Sequence, residues 1–290
     1  MSRRARSAHE WITWNAYWDA FYVWLLHELG FRQDESGRDL FMALPGSTSL
    51  VLFPLKMWLR VARFFSRLWV EHKFYDAPPG RLHRRMSKLA FFDKAVARDE
   101  IEQVVILGGG LSTFGFNETF LGKHVHRVFE YNAKTINAGK RKLMRAAGIR
   151  ARHVTSLNVR KGIGQKGRWL VDLTLAGFDP EATTLFIVND DMWKWSPEAG
   201  KKFLAEVGDL VQGHPLHLLA FPYLDESLVR PPGWFSRKRQ DAPTFGLPEG
   251  AQQAKWLRRV ANLKPLDHAR FPVEKTGFLL CASPLNVPTA

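Results

Sequence analysis

A chain of 290 residues is long enough for one large α/β domain with an appended helical part, or for two modest domains. Its 11 Trp and 21 Phe carry enough apolar area to offset the entropy of ordering the backbone, which excludes a disordered protein, and no repeat or low-complexity tract points to a fibrous one. The single cysteine, Cys281, excludes an intramolecular disulfide and a cysteine metal cage, while a formal charge of +14 implies an acidic partner, an anionic surface or simple solubility.

The chain opens on the basic stretch Met1-Ser2-Arg3-Arg4-Ala5-Arg6, but Glu10 and Asp19 interrupt the residues beyond it and no small-residue cleavage site closes it. No signal peptide is expected, and with one buried-looking thiol the simplest setting is cytoplasmic. Residues 9–75 read as helices. From Trp11 to Leu29 apolar and aromatic residues run nearly all round, which suggests a helix buried or pressed between surfaces; Asn15, Asp19, His27 and Glu28 keep it from being a clean membrane span. "GRDLFMALPGSTS" reads as a turn-rich connection. A further helix is expected from Pro54 to about Glu71, with Lys56, Arg60, Arg63 and Arg67 on one stripe and Trp58, Leu59, Val61, Phe64, Phe65 and Leu68 on the rest. Such a basic amphipathic helix either docks on an anionic membrane or lays its apolar face on a neighbouring domain. "DAPPGR", residues 76–81, separates an N-terminal helical cap, residues 1–75, from an α/β domain, residues 76–290.

Beyond that joint, strand-like runs alternate with helices. Strands are expected at Gln103–Leu107, His126–Glu130, His153–Asn158, Thr184–Asn189 and Leu216–Tyr223, and helices at Lys134–Ala147 and Pro197–Gln212, the latter capped by Ser196. Apolar strands separated by helices predict a doubly wound, mostly parallel sheet. Residues 226–262 form an insertion or lid, irregular to Glu249 and helical from Ala251. A last strand pair, Ala269–Glu274 and Thr276–Ser283, closes the chain. The basic run Lys134–Arg168, free of Asp and Glu, reads as a solvated helix face with basic loops more readily than as the footprint of an RNA or DNA methyltransferase, since no stacking aromatics are interleaved.

Gly108-Gly109-Gly110 follows the first strand, at the edge where open α/β sheets bind ligands. Glycine lets the backbone turn sharply and approach a ligand, and amides at a following helix start can meet an anion. Glu130 ends the second strand, where a carboxylate can accept both hydroxyls of a ribose. Together they suggest an adenosine-type ligand, a dinucleotide or S-adenosylmethionine.

Several stretches resemble the leucine carboxyl methyltransferase-like family of S-adenosylmethionine-dependent methyltransferases. They are "HRRMSKLAFFDKAV", with its Arg ahead of an aromatic and Asp pair, "QVVILGGGLST", "VFEYNAKTINAGKRKL" and "RWLVDLTLAGFDPEATTLFIVNDDMWKWSPEA", whose Trp169, Gly177, Phe178, Asp179, Pro180, Thr184 and Leu185 follow the family's order. The resemblance spans roughly residues 80–225 and implies a class I methyltransferase-like sheet of seven strands. It also implies S-adenosylmethionine as cosubstrate, with Arg85 (or its neighbour Arg84) on the methionine carboxylate, Gly108, Gly109, Gly110 and Glu130 around the ribose, and Ser156, Leu157 and Asn189 at further strand ends. This chain departs from the family at Ser112-Thr113-Phe114 (usually Asp-Thr-Arg), Asn132 (Asp), Ser156-Leu157 (Asp-Leu), Asn189-Asp190 (Glu-Gly) and Lys194 (Tyr). Two functional readings result. One is an O-methyltransferase acting on a carboxylate or hydroxyl of a small or lipid-like substrate, with Asp190 or Asp191 as base for a hydroxyl. The other is a catalytically inactive methyltransferase fold serving as a binding or membrane-peripheral partner. No metal site is expected.

Overall fold

The computed structural model describes residues 14–47, 54, 57–58, 65, 68, 81–98, 100–117, 121, 123–150, 153–159, 168–189, 195–214, 216–229, 244–271 and 276–284. Its centre is a seven-stranded sheet of β1 (Gln103–Leu107), β2 (Arg127–Ala133), β3 (Val154–Val159), β4 (Thr184–Val188), β5 (Leu218–Leu224), β6 (Lys264–Phe271) and β7 (Thr276–Ala282). The spatial order is β3-β2-β1-β4-β5-β7-β6; the first five are parallel, and β7 runs antiparallel between β5 and β6. This is the class I methyltransferase fold, and the strand order reverses between β1 and β4.

Alternation along each strand builds two cores. Val104 and Ile106 of β1 join Val128, Leu185, Ile187, Ala220 and Phe278 on one face, covered by Phe91, Phe92, Ala95 and Val96 of helix α3 (Arg81–Val96). Val105 and Leu107 join Phe129, Tyr131, Phe186, Val188, Leu219, Phe221 and Cys281 on the other. There they meet α5 (Arg168–Leu175), α6 (Pro197–Gly213) and α7 (Ala251–Ala261). With both faces covered, the central strands can be buried at every position, as QVVIL and TLFIV are. Burial raises the Cys281 thiol well above its ordinary range, so it behaves as a small core hydrophobe.

The N-terminal helices α1 (Trp14–Glu28) and α2 (Glu35–Ala43) form a third cluster, in which Trp24, Leu26, Leu29, Leu40 and Phe41 pack with Leu89 of α3, Leu111 and Phe116 after β1, and Leu143 and Met144 of α4 (Lys134–Ala146). Gly30 ends α1 with φ 75°, and Phe31 N–H reaches back to the Leu26 carbonyl at 3.0 Å, a closure that needs a residue without a Cβ penalty. The "GRDLFMALPGSTS" stretch is therefore not a bare connection: Asp34 caps α2 by accepting from Gly37 N–H at 2.7 Å, and the helix runs to Ala43 before the turn begins. Arg32 then bolts the cap to the sheet domain. It donates to Asp34 at 2.7 Å and through its other edge to both oxygens of Asp93 on α3, at 3.1 and 2.9 Å. Burial raises the Asp93 carboxyl above the ordinary carboxylate range although the guanidinium pulls it down.

Other boundaries shift in informative ways. The helix after Ser196 begins as expected, with Ser196 accepting from Ala199 N–H. The sixth strand starts at Lys264, not Ala269; Pro265 sits at a register irregularity where a strand tolerates it, and the polar alternation of KPLDHARF fits an edge. Within the expected lid, Phe245 and Leu247 are buried in the core and Leu247 bridges Asp225, while residues 230–243 lie outside the described residues, as do 272–275. Among the described residues no helix is long and apolar enough to cross a membrane, and no group of His, Cys, Asp and Glu could hold a metal ion.

Replacing Arg32 by Leu takes the guanidinium from the buried Asp34 and the half-buried Asp93 carboxylates and is expected to cost about 3 kcal/mol in urea unfolding. Lys94→Ala, which breaks an exposed pair with Asp267 at 2.7 Å, is expected to cost under about 1 kcal/mol. Equal costs would show that the cap is held by apolar packing alone.

Candidate functional site

The bend at the end of β1 is built by Gly108 and Gly110, at φ 76° and 54°, where L side chains are strained. Gly109 between them is required by contact: a Cβ there would lie 2.0 Å from Glu130 Oε1. Bend and carboxylate therefore converge. Yet β2 does not end at Glu130, because Tyr131 and Asn132 are buried and keep pairing with β3 as far as Ala133. Glu130 opposes Ile106 of β1 and Ser156 of β3, and faces the layer of α3, α4 and the N-terminal helices.

The bend holds itself by its own polar groups. Gly108 N–H donates to the Tyr131 carbonyl at 3.0 Å, and Gly110 N–H to Asn132 Oδ1 at 2.7 Å. From the end of β4, Asn189 Nδ2 donates to the carbonyls of Gly108 and Gly109 at 3.1 and 3.3 Å. Two positions at which this chain departs from the family's usual acids are thus the ones that tie the bend down. The chain then enters a 3-10 turn, Phe114–Phe116: Gly115 presses on Val128 and Ile106, and Phe114 packs against Phe92 with ring centroids 6.2 Å apart. Phe114 is a core residue.

Glu130 is 1% exposed. Its Oε1 accepts from Asn132 Nδ2 at 2.8 Å and from Lys140 Nζ at 2.5 Å, and its Oε2 is buried without a partner. Lys140, on α4, also donates to the Ser112 carbonyl at 2.5 Å and stands 4.7 Å from the Phe116 ring centre. Burial pushes its ammonium below the ordinary lysine range, and the Glu130 charge draws it back up. Reading Lys140 as part of a solvated basic face is therefore wrong, although Arg141, Lys142 and Arg145 beside it are exposed. The signal was in the spacing. Asn137, Lys140, Leu143 and Met144 form the inward stripe of α4.

Asn137 carries the network on to β3, donating to the Leu157 carbonyl at 2.8 Å and Asn158 Oδ1 at 2.9 Å while accepting from Asn132. Of the pair expected near an adenine, Ser156 is exposed beside Glu130, whereas Leu157 packs on the opposite core. Lys88, which no motif or pattern singles out, donates to the Asn189 carbonyl at 2.6 Å. It lies three residues beyond Arg85 and four beyond Arg84 on α3, so all three positions share one flank. The side chains of Arg84 and Arg85 lie outside the described residues, as do Asp190, Asp191 and Lys194. Trp169, Phe178 and Asp179 are framework. Tyr131 Oη donates to the Trp169 carbonyl, Phe178 stacks edge-on with Phe129, and Gln103 at the start of β1 clamps Asp179 by both its backbone groups. His124 and His126 are exposed, and His153 is half-buried against the Gly115 carbonyl. A separate cavity of about 250 Å³, lined by Tyr223, Asp225, Gln253, His268 and Arg270, lies at the β5–β7–β6 end of the sheet.

The elements around the bend, from α3 through β4, all fall within residues 71–190, and these match a family model. That family is leucine carboxyl methyltransferase. No curated protein matches the chain. Among solved structures it is similar to mitomycin 7-O-methyltransferase MmcR (12% identity, 74% of this chain and 60% of that one, TM-score 0.43) and to an O-methyltransferase family protein from Burkholderia thailandensis (14%, 74% and 62%, 0.44). It is also similar to an S-adenosylmethionine-dependent methyltransferase from Clostridium acetobutylicum (8%, 76% and 98%, 0.43). The chain thus spans about three fifths of the first two. Within the leucine carboxyl methyltransferase match, the residues suit the family's cosubstrate at one decisive point. The Glu130 carboxylate keeps Oε1 against a bend whose Cβ position is denied and leaves its other oxygen, Oε2, buried and unpartnered, an acceptor of the kind a ribose hydroxyl requires.

Lys140→Met alone is expected to destabilise the fold by about 3–5 kcal/mol, because it leaves Glu130 buried and uncompensated. Adding Glu130→Leu is expected to recover most of that loss, read as a coupling in a double-mutant cycle of urea unfolding. Additive costs would mean the two groups do not act as a pair.

Proposed function

We propose that the chain is an S-adenosylmethionine-dependent O-methyltransferase whose acceptor is a carboxylate or hydroxyl of a small or lipid-like molecule. The observation that carries this reading is Glu130 Oε2, a buried acceptor without a donor, on a carboxylate whose other oxygen is held against the glycine bend inside the family match. A native structure seldom leaves such an atom unsatisfied without a use.

The cosubstrate supplies an electrophilic methyl on a sulfonium. In this reading Glu130 holds the ribose, with Lys140 and Asn132 keeping the other carboxylate oxygen occupied so that Oε2 alone is offered. Asn189 fixes the bend, and Lys88 fixes the start of the segment after β4. Arg85 pairs with the methionine carboxylate, bidentately as guanidinium geometry allows. Methyl transfer is an in-line displacement: the carbon–sulfur bond breaks as the carbon–oxygen bond forms, so alignment and dryness supply most of the rate. A carboxylate acceptor needs no base; with a hydroxyl, Asp190 or Asp191 beyond β4 takes the proton.

A second reading rests on one specific observation. Glu130 Oε2 is closed to solvent, and the amides of Gly108 and Gly110 are already bonded, so entry of an adenosine requires local opening. A fold that keeps this closed would be a binding scaffold without turnover.

Calorimetric titration with S-adenosylmethionine separates the two. Micromolar binding is expected, weakened at least about tenfold by Glu130→Gln, which loses a charge-assisted acceptor, and by Gly109→Ala, which displaces the carboxylate. Absence of heat at millimolar cosubstrate with a folded protein supports the scaffold reading and overturns the first.

A further inference from the structure

Of the helix expected from Pro54 to Glu71, the cations Lys56, Arg60, Arg63 and Arg67 lie outside the described residues. The cavity of about 250 Å³ at the β5–β7–β6 end of the sheet is lined by described residues throughout, all of them beyond residue 190, where the family match ends. Its floor is Tyr223 near the end of β5. The ring rests on β7 because Gly277 has no side chain: a Cβ there would fall 2.6 Å from Tyr223 Cε1. Burial raises the Tyr223 hydroxyl above its ordinary range, against the pull of Arg270 and Gln253 beside it, so it stays protonated and able to hydrogen-bond. Leu279, Pro265 and Ala254 add apolar wall.

Asp225, Glu249 and Arg270 bring charge to this space. At the rim, Arg270 pairs with Glu249, and both side chains are exposed. Among the described residues no cation pairs with Asp225, which is 4% exposed. Its Oδ1 accepts from Ser227 N–H at 2.8 Å and so caps the turn that follows β5, which leaves Oδ2 to the cavity that the residue lines. A carboxylate taken out of water and not matched by a cation is costly, and a ligand that brings the missing positive charge relieves that cost. An anionic ligand would have to lie beside Asp225 or displace Glu249 from Arg270; an ammonium does neither. We propose that the cavity binds a small primary amine with a short hydrocarbon body, its ammonium on Asp225 Oδ2 and Tyr223 Oη and its carbons against Leu279 and Pro265. The volume, below the roughly 300 Å³ at which drug-sized pockets begin, suits a ligand of this size. Tyr223 and Leu279 belong to the core on the sheet face opposite Glu130, so the site holds whether or not the bend binds a cosubstrate.

The test is ligand-observed NMR titration of the full chain with n-butylamine, 1-butanol and butyrate, three probes of similar shape that differ in charge. The amine is expected to bind at least about tenfold more tightly than the alcohol or the carboxylate, since only it can make a charge-assisted bond to Asp225. Asp225→Asn keeps an oxygen for the Ser227 cap and removes only the charge; it is expected to weaken the amine about tenfold or more while the melting temperature stays native. Ala254→Leu, at an exposed position on α7 that lines the cavity, is expected to block the amine by filling space. The proposal is overturned if the folded native chain binds no amine, or if the alcohol or butyrate binds as well as the amine. It is equally overturned if the amine binds Asp225→Asn or Ala254→Leu as tightly as the native chain, which would place it elsewhere on the protein.

Discussion

The structure turns on one buried ion pair. Lys140 and Glu130 are removed from water together, and each is tolerable only because the other is there. The ammonium is tied at the same time to the Ser112 carbonyl, so the pair fixes α4 to β2 and both to the segment that leaves the glycine bend. The Glu130 carboxylate and the exit of the bend are positioned by that contact. Asn132 and Asn137 extend it to β3, and Asn189 with Lys88 extends it to β4 and α3.

Two asparagines show how a site can be rebuilt without changing its frame. A carboxylate at position 132 or 189 can only accept, whereas an amide can donate as well. Asn132 uses both ends, accepting from Gly110 N–H while donating to Glu130 and Asn137; Asn189 spends its amide on two bend carbonyls. The bend is consequently braced from within. Bracing of this kind preorganises a pocket when the ligand needs only the remaining acceptor, and seals it when the ligand needs the braced groups too.

Much of the fold was legible in the residues, because continuous apolar runs such as VVIL and LFIV have no home except a sheet covered on both faces. The glycines were legible for the same reason that makes them useful: few other residue types fit a positive φ, and none fits a contact at a missing Cβ. What went unread was which cations are solvated. Lys140 and Arg141 are neighbours in the same basic run, and only the helix phase, set by packing against Leu143 and Met144, sends one inward and the other to water. Lys88 was equally hidden, since its partner is a backbone carbonyl 101 residues away. The sixth strand was misplaced because an edge strand with one wet face carries a polar alternation too weak to announce itself.

The short turn after the bend has an implication for what the protein refuses. Dinucleotide sites set a pyrophosphate on the free amides that open a helix. Here Gly108 and Gly110 have already spent theirs, and the chain passes into Phe114–Phe116, whose rings are committed to the core and to Lys140. A diphosphate arriving at this corner would meet carbonyl oxygens and a buried anion. The two bend amides that a pyrophosphate would seek are already engaged within the chain itself.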